Sequence, residues 1–107
     1  MELMPKSIEV TLPRLYGTES VSLADKIVRL KLFCPWSPWT WYVVEYDPTE
    51  RLCWGLVQGF EVEWGYFSLD DLEGIRGPGG LRIERDLQFE PMTVRAVVEG
   101  EHIVGAF

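Results

Sequence analysis

Carboxylates are the side chains of this sequence best spaced for chemistry. Glu61 and Glu63 fall on the same side of one predicted strand, roughly 7 Å apart. Two carboxyl groups at such a separation can divide acid and base roles around a substrate. Glu45, on a neighbouring predicted strand, is the third candidate, but no other substrate signal accompanies the three. The remaining reactive groups are few. Cys34 and Cys53 sit among apolar neighbours in predicted strands and read as buried free thiols, with a disulfide or redox pair as the alternative. His102 is the one histidine, which excludes His-cluster metal sites, and the lack of a Cys-x-x-Cys pair excludes the common zinc patterns. Gly77 to Gly80 has phosphate-loop glycines, but no Lys-Ser/Thr follows and no strand precedes, so it reads as a turn. No catalytic residue, cofactor or metal is assigned.

The acids have a second property, which is that they cluster. The 107 residues carry a net charge of -7, and residues 45–73 hold eight acids (Glu45, Asp47, Glu50, Glu61, Glu63, Asp70, Asp71, Glu73) against one base, Arg51. Elsewhere acids and bases cancel. If the elements carrying these residues are adjacent, the protein has one acidic side. Such a side is either a solvated face or a docking face for a basic protein. It disfavours nucleic acid and anionic membrane as partners.

Aromatic residues supply the apolar half of an interface. Five tryptophans are present, with Trp36, Trp39 and Trp41 inside six residues of a Pro-bounded stretch. Trp41, Trp54 and Trp64 fall in predicted strands and suit a core. Trp36 and Trp39 lie in the loop and are expected to be the most exposed, as partner anchors. The candidate partner-binding set is therefore Glu45, Asp47, Glu61, Glu63, Asp70, Glu73, Trp36 and Trp39.

The elements that must position these residues follow from periodicity and punctuation. An arm over residues 1–20, with Pro5 and Pro13, shows no sustained period. Ser22 to Lys26 fits one helical turn capped by Ser22. Ile27 to Cys34 alternates as a strand, with Val28, Leu30, Leu32 and Cys34 on one face. Thr40 to Tyr46 is apolar on both faces, Trp41, Val43 and Glu45 against Tyr42, Val44 and Tyr46, and reads as a central strand. Asp47-Pro48 opens a turn. Arg51 to Gln58 and Glu61 to Phe67 complete an antiparallel meander. Ser68 caps a short helix to Arg76, with Asp71 three residues on and Leu69, Leu72 and Ile75 as its buried stripe. Leu81 to Phe89 alternates again, with Leu81, Ile83, Leu87 and Phe89 inward. Val94 to Val98 and His102 to Phe107 read as a closing hairpin.

Length and composition agree with this pattern. One hundred and seven residues are read as one domain, folding to roughly 6,100 Å² of accessible surface. Apolar residues make up 47% and charged residues 25%, which excludes wholesale disorder. No run approaches the ~20 apolar residues of a membrane span, and no signal-type stretch follows Lys6. A cytoplasmic setting is expected. The fold class is α+β: an antiparallel meander of four or more strands with one short helix packed on it.

Five segments in order, TLPRLYGTE from Thr11, KIVRLKLF from Lys26, WTWYVVEYDP from Trp39, GYFSLDDLE from Gly65 and GLRIERDLQFEP from Gly80, resemble the bacterial family catalogued as domain of unknown function 2958. The resemblance spans residues 11–91, leaving residues 1–10 and a C-terminal extension over residues 92–107 outside. It implies short proteins of plasmids, phages and other mobile elements, and no activity or catalytic residue. That setting favours an inhibitor of a host nucleic-acid-binding defence system, of anti-restriction or anti-CRISPR type, since an acidic surface can occupy a basic site built for phosphate. The leading expectation is thus a non-enzymatic acidic interaction module that binds a basic protein surface. Its rivals are a carboxylate-dependent enzyme and a homodimer paired through exposed tryptophans.

Overall fold

A computed structural model describes residues 1–107. Its frame is a five-stranded antiparallel sheet in the order β5-β4-β3-β2-β6. The strands are β2 (Leu30–Phe33), β3 (Thr40–Asp47), β4 (Leu52–Gln58), β5 (Val62–Ser68) and β6 (Glu84–Arg85). Two-residue strands β1 (Ile27–Val28) and β7 (Met92–Thr93) pair separately as a small ribbon. Helices α1 (Lys6–Glu9), α2 (Leu69–Gly74) and α3 (Val94–Glu101) cover the sheet. The fold class expected from sequence is the one observed. The accessible surface of 6166 Å² and radius of gyration of 13.1 Å match a compact domain of this length. No helix is long and apolar enough to cross a membrane.

β3 is central as its two apolar faces require: Trp41 to Tyr46 are all buried. The sheet therefore separates two cores. One holds Leu30, Leu32, Trp41, Val43, Tyr46 and Cys53 beneath the N-terminal arm and α2. The other holds Val28, Tyr42, Val44 and Leu56 beneath α3 and the segment after it. Both cysteines are free and buried, and burial pushes the Cys53 thiol up to about 12.

The simple alternation expected for β3 fails at one residue. Val43 pairs with Gly55 and Glu45 with Trp54, so Val44 is an extra residue in the ladder, a β-bulge. Beyond it the faces exchange. Tyr46 joins the core of Trp41 and Val43, while Glu45 turns to the face of Tyr42 and Val44. Gly55 permits the bulge, because a Cβ there would lie 1.9 Å from the Tyr42 carbonyl oxygen.

Other expectations are corrected. The arm over residues 1–20 is not irregular throughout, since α1 forms behind Pro5, the residue that precedes its first turn. Residues 27–34 are not one strand: the chain changes partner sheet at Arg29, which sends Val28 to the second core and Leu30, Leu32 and Cys34 to the first. Between Leu81 and Phe89 only β6 forms. Asp86 accepts from the Gln88 and Phe89 amides in a turn, leaving Leu81 and Leu87 exposed.

The tail is a helix, not a hairpin. Val94, Val97 and Val98 recur at i, i+3 and i+4, and Thr93 Oγ1 accepts from the Ala96 amide at 3.1 Å as N-cap. His102, left-handed at φ 55°, ends it, and the Ile103 amide donates back to the Val98 carbonyl. α2 follows expectation at its start, where Ser68 Oγ accepts from the Asp71 amide at 3.2 Å. It stops at Gly74, two residues early, and Arg76 donates to the carbonyls of Glu73 and Ile75. The turn at Leu23–Asp25 is a 3₁₀-helix in which Ser22 donates to Asp25 Oδ2 rather than capping.

Candidate functional site

The candidate acids do not form one continuous side. Glu45, turned inward by the bulge, is 5% exposed. Its carboxylate accepts from the Tyr16 amide at 2.8 Å, the Thr18 amide at 3.1 Å and the Thr18 hydroxyl. Lys26, also 5% exposed, donates to the Thr18 carbonyl and to Thr18 Oγ1 and lies 5.4 Å over the Trp54 ring. The group anchors residues 13–18 against the sheet, aided by the Tyr46 amide donating to the Pro13 carbonyl. It also holds Tyr16 at φ 67°, an uncommon backbone for a bulky residue. Glu45 is thereby withdrawn from any docking face. Asp47 is withdrawn in part: its Oδ1 accepts from the Thr49 amide and closes the β3–β4 turn.

Asp70 and Glu73 stand at the start and end of α2, and both pair with Arg51, the single base among residues 45–73. Arg51 reaches them from the β3–β4 turn, where its own φ is 51°. Arg51 offsets part of their charge locally. Glu61 and Glu63, by contrast, are exposed and make no ion pair with any base. They lie at the far end of β5 from α2, a separation of roughly 20 Å along the strand. Asp47, Glu50 and Asp71 likewise make no ion pair, but they lie at the opposite end of the sheet, at the β3–β4 turn and the start of α2.

The Glu61 and Glu63 end of the sheet carries the most exposed aromatic. Phe60 is 95% exposed and meets Trp39 edge-on, with ring centroids 5.3 Å apart. Trp39 in turn lies 5.9 Å from Trp41. These rings, Phe67, Glu61 and Glu63 line an open cleft of about 330 Å³. Trp36 and Trp39 are not exposed as their loop position suggested. Both are half-buried against the first core, because glycines lie beneath them: a Cβ would come 2.4 Å from the Trp39 ring at Gly59 and 2.6 Å from the Trp36 ring at Gly77. Trp39 forms a wall of the cleft, whereas Trp36 lies outside it, in a neighbouring hollow with Cys34, Ile75 and Ile83.

Sequence reasoning missed Phe60 and Lys26. Phe60 was hidden in a turn dipeptide beside Gly59. Lys26 carried one legible signal, a charge immediately before an apolar strand. No three His, Cys, Asp or Glu side chains converge to hold a metal.

Fold and site together define a small acidic α+β protein with an open aromatic cleft rimmed by unpaired carboxylates. The chain belongs to the family described as "Protein of unknown function (DUF2958)", whose model matches residues 9–98. That match starts two residues earlier than the resemblance in the sequence and runs past its end at residue 91, taking in β7 and most of α3. No curated protein and no solved structure matches the chain.

Proposed function

We propose that this protein is a non-enzymatic interaction module that docks a basic protein surface on the cleft of Trp39, Phe60, Glu61 and Glu63. The observation that carries this reading is Phe60. A phenylalanine 95% exposed, edge-on to a tryptophan and beside two unpaired carboxylates, has the composition of an interface anchor with a charged rim. The carboxylate-enzyme alternative loses Glu45, whose lone pairs are occupied by the arm. The mobile-element setting implied by the family resemblance extends the proposal. The basic surface belongs to a host defence protein that binds nucleic acid in the cytoplasm, and occupying it inhibits that protein. Two buried free thiols are compatible with a reducing compartment.

The test is capture of a partner from host lysate on the immobilised protein, followed by elution with salt. Attraction between exposed charges is screened over ~8–10 Å at physiological ionic strength, so a partner held by Glu61 and Glu63 elutes steeply with salt. Glu61→Lys with Glu63→Lys should slow association, and Phe60→Ala should speed dissociation, with melting temperatures unchanged. Retention of the same partner by both variants would refute the reading.

A further inference from the structure

β5 is an edge strand: it pairs with β4 on one side and with nothing on the other. Two bonds fix which of its backbone groups are free. At one end of the β4–β5 ladder the Leu69 amide donates to the Arg51 carbonyl, and at the other the Gly59 amide donates to the Glu61 carbonyl. Residues 61 and 69 therefore point their amide groups at β4. By the alternation of an antiparallel ladder so do residues 63, 65 and 67. The N–H and C=O groups of Val62, Trp64 and Tyr66 point outward, away from the sheet. Protected edges carry prolines, bulges or a covering segment, and β5 has none of these. Its exposed charges are Glu61 and Glu63 alone, of one sign. On the cleft side of the strand, Gly65 leaves open space with no atom within 4 Å of where a Cβ would be.

We infer that β5 accepts an extended basic strand of the partner as a sixth strand of the sheet, with alternate arginine or lysine side chains over Gly65 and beside Glu63. This rests on the cleft being a docking site for a basic protein, and it specifies how that protein binds. Backbone hydrogen bonds from Val62, Trp64 and Tyr66 supply affinity, and the pockets flanking the strand read alternate side chains. Cations fall on the cleft side, where Glu61, Glu63 and the faces of Trp39 and Phe60 attract them. Apolar residues fall on the other side, beside Val62 and Tyr66. A second copy of this chain would bring its own Glu61 and Glu63 to the same edge, and a net charge of -7 on each partner opposes that pairing.

The test uses a capped peptide of alternating Arg and Val, as long as the seven-residue β5, titrated at low salt. In an extended strand the Arg amides point to one edge and the Val amides to the other. N-methylation of all Val residues or of all Arg residues therefore blocks one edge at a time without changing charge. One methylated peptide should lose affinity about tenfold or more while the other binds like the parent. Loss on Val methylation reports antiparallel addition and loss on Arg methylation reports parallel addition. On the protein side, Tyr66→Pro removes one outward N–H at a position where an edge strand tolerates proline, and should weaken the parent peptide far more than Tyr66→Ala.

Three results overturn strand addition. In the first, both methylated peptides bind like the parent. In the second, the parent does not bind. In the third, the protein sediments as a dimer that Tyr66→Pro dissociates, which makes the occupant a second copy. The cleft reading fails separately, when Glu61→Lys with Glu63→Lys leaves binding of the parent peptide intact. If that double variant abolishes binding while methylation does nothing, the cleft stands and the sixth strand falls.

Discussion

Replacing Glu45 by alanine should be among the most damaging substitutions in this protein, although a surface acid at a strand end would ordinarily cost little. The carboxylate accepts from three donors on Tyr16 and Thr18, and Lys26 reaches the same hydroxyl from its other side. Removing it leaves the part-buried amides of Tyr16 and Thr18 without an acceptor, and the buried Lys26 ammonium without the carboxylate that faces it across the Thr18 hydroxyl. Breaking a buried charged arrangement from one side typically costs ~3–5 kcal/mol. Domains of this size have total stabilities of ~5–15 kcal/mol, so the loss is a large fraction of the whole. Glu45→Gln should fall between wild type and alanine, because its amide NH₂ meets a donor where the carboxylate met it with a lone pair. Urea denaturation measures the global term. Hydrogen exchange of the Tyr16 and Thr18 amides shows whether the arm detaches while the sheet persists. Adding Lys26→Met to Glu45→Ala should recover part of the loss, since the uncompensated charge is then gone. A cost below ~1 kcal/mol, with both amides still protected, would refute the account of Glu45 as the anchor of the arm.

Other outcomes follow from single contacts. Ser68→Ala and Thr93→Ala should each lower stability by ~1 kcal/mol in urea titrations, because each hydroxyl satisfies one orphan amide at a helix start. Gly55→Ala should prevent normal folding, seen as loss of near-ultraviolet dichroism, because its methyl would meet the Tyr42 carbonyl at 1.9 Å. Alkaline pH should destabilise the fold. Burial raises the Cys53 thiol from 9.0 and the Tyr42 hydroxyl from 10.0, each to about 12. The folded state therefore holds these protons after the unfolded state has released them. Stability is retained below pH 9 and falls between 9 and 12, by up to ~1.4 kcal/mol per pH unit for each group. Cys53→Ala should flatten the first part of that fall in melting curves taken across this range.

The parts of the fold legible in the sequence were those set by local rules. Asp47-Pro48, the double-faced β3 and the Ser68 cap each depend on residues within one or two turns of chain. The parts that were not legible depend on remote events. Nothing local shows that Val44 bulges, because the bulge is set by how β4 approaches at Gly55. That single residue reverses Glu45, and with it the assignment of a surface acid to a buried anchor. The tail departs from the expected hairpin because Val94, Val97 and Val98 fit two periods over so few residues, and it is the Thr93 cap that decides between them. Of the candidate site, Glu61, Glu63 and Trp39 were legible, since exposed strand acids and loop aromatics announce themselves by type. Phe60 was not, because exposure of an aromatic in a turn depends on where Trp39 places its ring.

The separation of the two cores by β3 has a consequence for how the chain is made. The first core draws on residues 3–83, whereas the second is closed by α3 and by Ile103 and Ala106. Synthesis proceeds at ~5–20 residues per second, and domains acquire structure as the chain emerges. The face of Val28, Tyr42, Val44 and Leu56 thus waits uncovered for seconds after its partners on the other side have been made. The β1–β7 ribbon, joining residues more than sixty positions apart, forms only then. During that interval the nascent protein presents an apolar sheet face beside an open β5 edge, the state in which a chaperone or a neighbouring chain would most readily engage it.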